Sequence, residues 1–377
     1  MSEYQYVGFR AIDRPVNGKD LEFMQRQSSR AEITPWSFDN EYHHGDFRGN
    51  AAEMLRRGYD FHLHYANFGI RTLMIRLPNG LPDEDAAKPY ISKKTLKLLK
   101  DERGPGRILC VPPFFESGEL DELWEPESLV DRLIPLRAEI LDGDLRPLYL
   151  ANLAVASDDN HDPDEQSEAP VPGGLHRLTD AQRALADLYG LDESFIAAAA
   201  LNSPPMPERN DPQREYAPWL HQQLDSTKNA WLAQLMADPH STIRSEILTK
   251  FRSDQAVPPW PVNRSARTIS ELRAAAEDVQ LKQDQKQAAT AARKRAARLK
   301  ALAADPMQAV RESEQLVEQR TTAAYQQAVS LLTDLRESLI GSKQSDLPEK
   351  QARKLKEQHP TARGLAAELR RHGFLKK

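Results

Sequence analysis

Residues 4–12, YQYVGFRAI, alternate aromatic or branched side chains with smaller or polar ones, the period-two pattern of a half-buried strand. Pro15 and Gly18 end it, and DLEFMQRQSS predicts a short helix. AEITPWSFDNEYHH is strand-like again, with Pro35 at an edge or bulge because proline has no N–H to donate to a ladder. Residues 49–69, GNAAEMLRRGYDFHLHYANFG, carry two helical stripes, Leu55/Tyr59/His62/Ala66 and Met54/Phe61/Tyr65/Phe68. One buried helix over 51–68, opened by Asn50 with Glu53 three residues on, is the expectation. IRTLMIRLP predicts a strand, and LKLLKDERGPGRILCVPPF two more around a Gly-Pro-Gly turn. The order β-α-β-α-β-β-β predicts the α+β class, with a small N-terminal α/β domain followed by a mostly α-helical region. A ferredoxin-like sheet with helices on one face is the nearest simple template.

From about residue 120 the alternation stops. SLVDRLIPLRAEILDGDLRPLYLANLAVA has helical period, DDNHDPDEQSEAPVPGG reads as an acidic linker, and TDAQRALADLYGLDESFIAAAALN as a helix pair. PPMPERNDPQREYAP is expected to be an extended connector, followed by helices at 221–236 and 242–252 and a PPWP break. TISE at 268–271 is a capping box that opens a long helix over 269–303. Beyond Val279 its apolar residues are nearly all alanine, so it buries few CH₂ groups and reads as an arm or a coiled-coil-like interface. Pro306 ends it, and helices follow near 307–320, 322–339, 348–357 and 361–372. The predicted segments are a head at 1–116, an acidic helical segment at 117–162, a linker at 163–174, a helical domain at 175–257, and an arm with a basic tail at 262–377.

The chain has 377 residues, room for two or three domains. Its single cysteine, Cys110, excludes an intramolecular disulfide and a Cys-based zinc site. The N-terminus lacks a basic segment followed by an apolar run, and no uninterrupted apolar window approaches 18 residues. A cytoplasmic protein with no membrane contact is the expectation. A net charge of −5 conceals a segregation. Residues 116–168 hold sixteen acids against three bases, 282–300 seven bases against Asp284, and 341–377 ten bases against four acids. A basic tail of this kind seeks an anionic partner or the acidic middle of its own chain.

Candidate chemistry is sparse. Phosphate-loop, dinucleotide, zincin and esterase motifs are all missing. His43, His44, Asp46, His62 and His64 are the candidate catalytic residues, a His/Asp cluster of the kind that serves a metal-dependent hydrolase. On a helix His62 and His64 are about 200° apart and cannot share a metal; on a strand they would share a face. Asp60 and His64, at i and i+4, would then simply pair. The sequence implies no metal and no cofactor. LADLYGLDESFIAAAA matches helix-turn-helix spacing, yet its second helix has no basic or amide side chain before Asn202, so a packed helical hairpin is expected. Arg293, Lys294, Arg295, Arg298 and Lys300 are the nucleic-acid candidates, a basic helix face without aromatics for base stacking.

AIDRP (11–15), SSRAEIT (28–34), HGDFRG (44–49), YANFG (65–69) leading into LMIRLP (73–78), IPLRAEILDGDLRPLYL (134–150) and AVSLLTDLRESL (328–339) together resemble a family of uncharacterised bacterial proteins. The resemblance covers most of the chain and implies an α/β head with a helical tail. It carries over no catalytic or binding residue, and this chain has His44 and Phe68 where the pattern has Trp.

The function expected from these features is that of a non-enzymatic interaction adaptor or subunit of a larger bacterial assembly, with a protein partner and room for homo-oligomerisation. Nucleic-acid binding through residues 286–300 and the tail is the first alternative, and the His/Asp hydrolase the second.

Overall fold

The computed structural model describes residues 3–91, 96–112, 125–156, 164, 166–206, 212–237, 243–254, 259–264 and 267–376. Residues 117–124 and 157–162 of the expected acidic segment, 163 and 165 of the expected linker, and 207–211 of the expected connector lie outside this set. The chain forms two compact units, Met1–Gln280 and Leu281–Lys377.

The first unit is built on β1 (Gln5–Arg10), β2 (Glu32–Ile33), β3 (Ser37–Tyr42), β4 (Phe61–Ala66), β5 (Arg71–Leu77), β6 (Lys97–Lys100) and β7 (Arg107–Val111). They make a seven-stranded sheet in the order β2-β3-β1-β4-β5-β7-β6, and every pairing is antiparallel. The α+β class holds. The ferredoxin-like arrangement is not adopted: β1 and β3, joined through α1, are direct antiparallel neighbours, where a split βαβ unit would make them parallel with a third strand between.

Helices cover both faces rather than one. Under one face, α1 (Gly18–Gln25) and α2 (Ala51–Arg57) pack Met24, Met54 and Leu55 against Val7, Phe9, Phe38 and Met74. Over the other lie α4 (Pro126–Leu133), α5 (Pro135–Leu141), α6 (Arg146–Ala156), α7 (Asp180–Leu188) and α8 (Glu193–Ala200); a short helix, α3 (Glu84–Ala87), precedes β6. Their Leu133, Leu136, Leu150 and Leu185 share one core with Tyr6, Leu63, Leu73 and Val111 of the sheet. That shared core explains why the expected boundary at 116/117 separates nothing.

The expected helix at 51–68 is a correction with a clear cause. Asn50 caps α2 by accepting from the Glu53 N–H at 3.0 Å, but Gly58, at φ 144, stops the helix after seven residues. The chain then enters β4 between β1 and β5. Because both faces of the sheet are covered, β4 is buried on both sides, and its alternation of Phe61, Leu63 and Tyr65 with His62 and His64 runs straight on from α2 in a stretch whose apolar residues also fit helical stripes.

The expected linker at 163–174 is likewise corrected over its described part. Val171 and Leu175 are buried, and β8 (Val171–Pro172) pairs with β9 (Val262–Asn263). Buried Glu168 accepts from the Tyr149 hydroxyl at 2.6 Å and from Arg267 at 2.5 and 2.9 Å. The expected helix pair stands as α7 and α8, with Phe195, Ala198 and Ala199 of α8 buried. Further on come α9 (Pro212–Gln222), starting inside the expected connector, α10 (Asp225–Ala237) and α11 (Ile243–Asp254). The long helix α12 spans Ile269–Ala304, and its Ile269, Leu272 and Ala276 belong to the first unit's core.

The second unit contains the rest of α12 with α13 (Pro306–Glu318), α14 (Thr322–Ser338), α15 (Leu347–Gln358) and α16 (Arg363–Arg371), within a residue or two of the expected bounds. Val317, Leu332, Leu335, Leu355, Leu365 and Leu369 form its own core. Among the described residues no helix is long and apolar enough to cross a membrane.

Candidate interaction surface

The His/Asp candidates resolve into a clasp. On strand β4, His62 and His64 do share a face, with ring centroids 6.5 Å apart, contrary to the helical expectation. His62 is buried and stacked on Phe9 at 4.1 Å, and its Nδ1 donates to the Gly8 carbonyl at 3.0 Å. Nδ1 carries the proton there because a carbonyl only accepts. Gln5 gives its amide hydrogens to Asp46 at 2.8 Å and the Gly45 carbonyl at 3.2 Å, leaving its oxygen to accept from His64 Nε2 at 3.0 Å. Asp46 is thus tied to the sheet through Gln5, while His43 and His44 are exposed. Burial holds both strand histidines neutral, His62 down to about 3 and His64 to about 4. Among the described residues no three His, Cys, Asp or Glu side chains converge as a metal site requires.

Asp60 does not pair with His64. Its Oδ2 accepts from the backbone N–H groups of Ile12 at 2.7 Å and Asp13 at 3.1 Å, and Oδ1 from Arg76 at 3.4 Å and Arg137 at 3.5 Å. Arg137 of α5 also clamps Asp13, and Arg76 donates to buried Asp101 at 2.8 Å. The cleft at this network, lined by Asp13, Arg14, Asp60, Arg76 and Glu246, has a volume of about 210 Å³, small for an organic ligand. With both oxygens of Asp60 already accepting two hydrogen bonds each, the network works as a pin between sheet and helix layer.

Of the basic candidates, all five are exposed on α12. Arg295 and Arg298 are spent on α14, pairing with Glu337 at 2.6 Å and Asp334 at 2.9 Å. Arg293, Lys294 and Lys300 make no ion pair among the described residues.

The surface that sequence reading missed is on α9–α11. Trp219 of α9 is buried, stacked on Trp231 of α10 at 5.8 Å and edge-on to Phe251 of α11 at 5.4 Å, with Nε1 donating to Asp254 at 3.1 Å. Trp231 holds α10 in place, yet α10 has no buried residue at all. Leu224, Leu232, Leu235 and Met236 stand on one side of it, exposed by 74%, 57%, 49% and 85%. At 100° per residue they fall within about 120° of arc. Their spacing was legible, but only the structure shows that nothing in the described chain covers them.

Compared with known proteins, the chain matches no family model, no curated protein and no solved structure. Polar residues of the motifs behind the family resemblance are used in the scaffold: Asp13 and Arg137 in the pin, Asp46 in the clasp, and Asn67 accepting from the Tyr4 N–H at 3.0 Å.

Proposed function

We propose that the chain is a cytoplasmic, non-enzymatic interaction adaptor or subunit of a larger bacterial assembly, and that it docks a protein through the apolar face of α10. One observation carries this reading: a thirteen-residue helix that buries none of its residues and presents Leu232, Leu235 and Met236, with Leu224 just before it, to solvent. A helix of that length is marginal in isolation, and contiguous exposed apolar side chains mark contact sites. The hydrolase alternative lacks comparable support, since His62 and His64 are held neutral and hydrogen-bonded inside the sheet.

The experiment is site-specific photo-crosslinking in the native host, with the probe at Leu235 or Met236 and a control probe at Gln234. The reading expects one discrete protein product from the apolar positions, lost in Leu232→Glu. Equal products from Gln234, or none from any position, would overturn it.

A further inference from the structure

The second unit keeps two of the arm's arginines for itself and leaves a row of other cations free. Arg295 and Arg298 turn toward α14, where Glu337 and Asp334 meet them. Lys282, Lys286, Arg293 and Lys300 are exposed and make no ion pair among the described residues. At 100° per residue these four fall within about 40° of one another, on the side of α12 opposite the Arg295–Arg298 edge. Asp284, the one acid between residues 282 and 300, lies on the α14 side. Between residues 282 and 300 every charged side chain on this face is therefore cationic.

Its spacing carries more information than its charge. Lys286, Arg293 and Lys300 recur every seven residues, about 10.5 Å apart along the axis. Exposed Ala289, Ala296 and Ala297 flank them, small enough for a second helix to approach closely. A seven-residue charge repeat beside a small-residue seam is how paired helices choose partners through their flanking positions. Duplex phosphates, at one charge per roughly 1.7 Å of axis, have no such period, and residues 281–304 hold no aromatic side chain for base stacking.

We propose that this face of α12 docks an acidic α-helix of a protein partner, one bearing Glu or Asp at seven-residue intervals beside a small-residue seam. The surface lies on the second unit and stands apart from the reading of α10, so either can fail alone.

The test uses the full chain and three fluorescent probes: a helical peptide with Glu every seven residues, an isomer of identical composition with the Glu positions shuffled, and a duplex DNA. Anisotropy titrations at low and physiological salt should rank the heptad peptide about tenfold above its isomer, as three well-placed charge pairs imply. Lys286→Glu/Arg293→Glu/Lys300→Glu should remove that binding. Ala289→Gln/Ala296→Gln, which leaves every charge in place, should weaken the peptide and leave DNA unaffected. Leu232→Ser/Leu235→Ser should bind the peptide like wild type, which separates this surface from α10. Equal binding of the isomer, tighter binding of the duplex, indifference to the alanine changes, or no binding at all would each overturn the proposal.

Discussion

Arg137 of α5 and Asp13 of the loop after β1 meet in a two-pronged ion pair, Nη1 donating to Oδ1 at 3.1 Å and Nη2 to Oδ2 at 2.5 Å. The same guanidinium donates from Nε to the Arg76 carbonyl at 2.8 Å, so one side chain joins a helix, a strand and a loop. Burial opposes its charge, but Asp60 and Asp13 outweigh that and raise its pKa further. Arg137→Ala would leave Asp13 and buried Asp60 without their common counter-ion. A loss of about 3–5 kcal/mol is expected, read from the denaturation midpoint of the full chain. Arg137→Lys restores a charge but not the planar fork, and should fall between the two.

Acid should unfold the first unit through β4. His62 is neutral in the fold with a pKa near 3, against an ordinary value near 6.5. The unfolded chain therefore binds the proton first. Stability is complete above about pH 6.5 and falls as pH drops from there toward 3. For His62 alone, the loss between pH 7 and 5 is on the order of 2 kcal/mol. His64 adds in the same direction, through its own lowered pKa. Denaturation of His62→Phe across this range should show a flatter pH profile than wild type; an unchanged slope would remove β4 from the account.

The two glycines of the Gly-Pro-Gly turn should respond oppositely to alanine. A Cβ at Gly106 would sit 2.6 Å from the Leu77 carbonyl oxygen and 2.8 Å from that of Pro78, both backbone atoms that cannot swing aside. A Cβ at Gly104 meets nothing within 4 Å. Gly106→Ala should cost about 1–3 kcal/mol. Gly104→Ala should stay within about 0.5 kcal/mol of wild type in the same melt.

On α10, association and stability should separate. Leu232→Ser/Leu235→Ser removes apolar side chains that the described chain leaves in water, so the melting midpoint should move little, within about 0.5 kcal/mol for each change. Trp219→Ala takes away the buried ring that Trp231 and Phe251 pack on, and should cost about 3–5 kcal/mol. A large loss in the leucine pair would mean that α10 has an intramolecular seat.

Much of this protein was written locally in its sequence. The helices of the second unit fall where 3.6-residue periodicity and Pro306 place them, and Thr268 with Glu271 opens α12 as a capping box should, with bonds of 3.2 and 2.9 Å. Strands β1, β5, β6 and β7 were equally legible, because their runs are bounded by turn residues. Tertiary structure decided what local pattern could not. Gly58 ended the helix after seven residues and the sheet, covered on both faces, took the next stretch in as β4, so His62 and His64 changed from opposite sides of a helix to neighbours on a strand. Asp13, Asp60, Arg76 and Arg137 lie up to 124 residues apart in sequence and come together only when α5 seats on the sheet. The same long-range packing spent Arg295 and Arg298 on α14 and, among the described residues, left the leucines of α10 exposed. Propensity and periodicity act over a few residues, whereas burial and ion pairing depend on which distant surfaces meet.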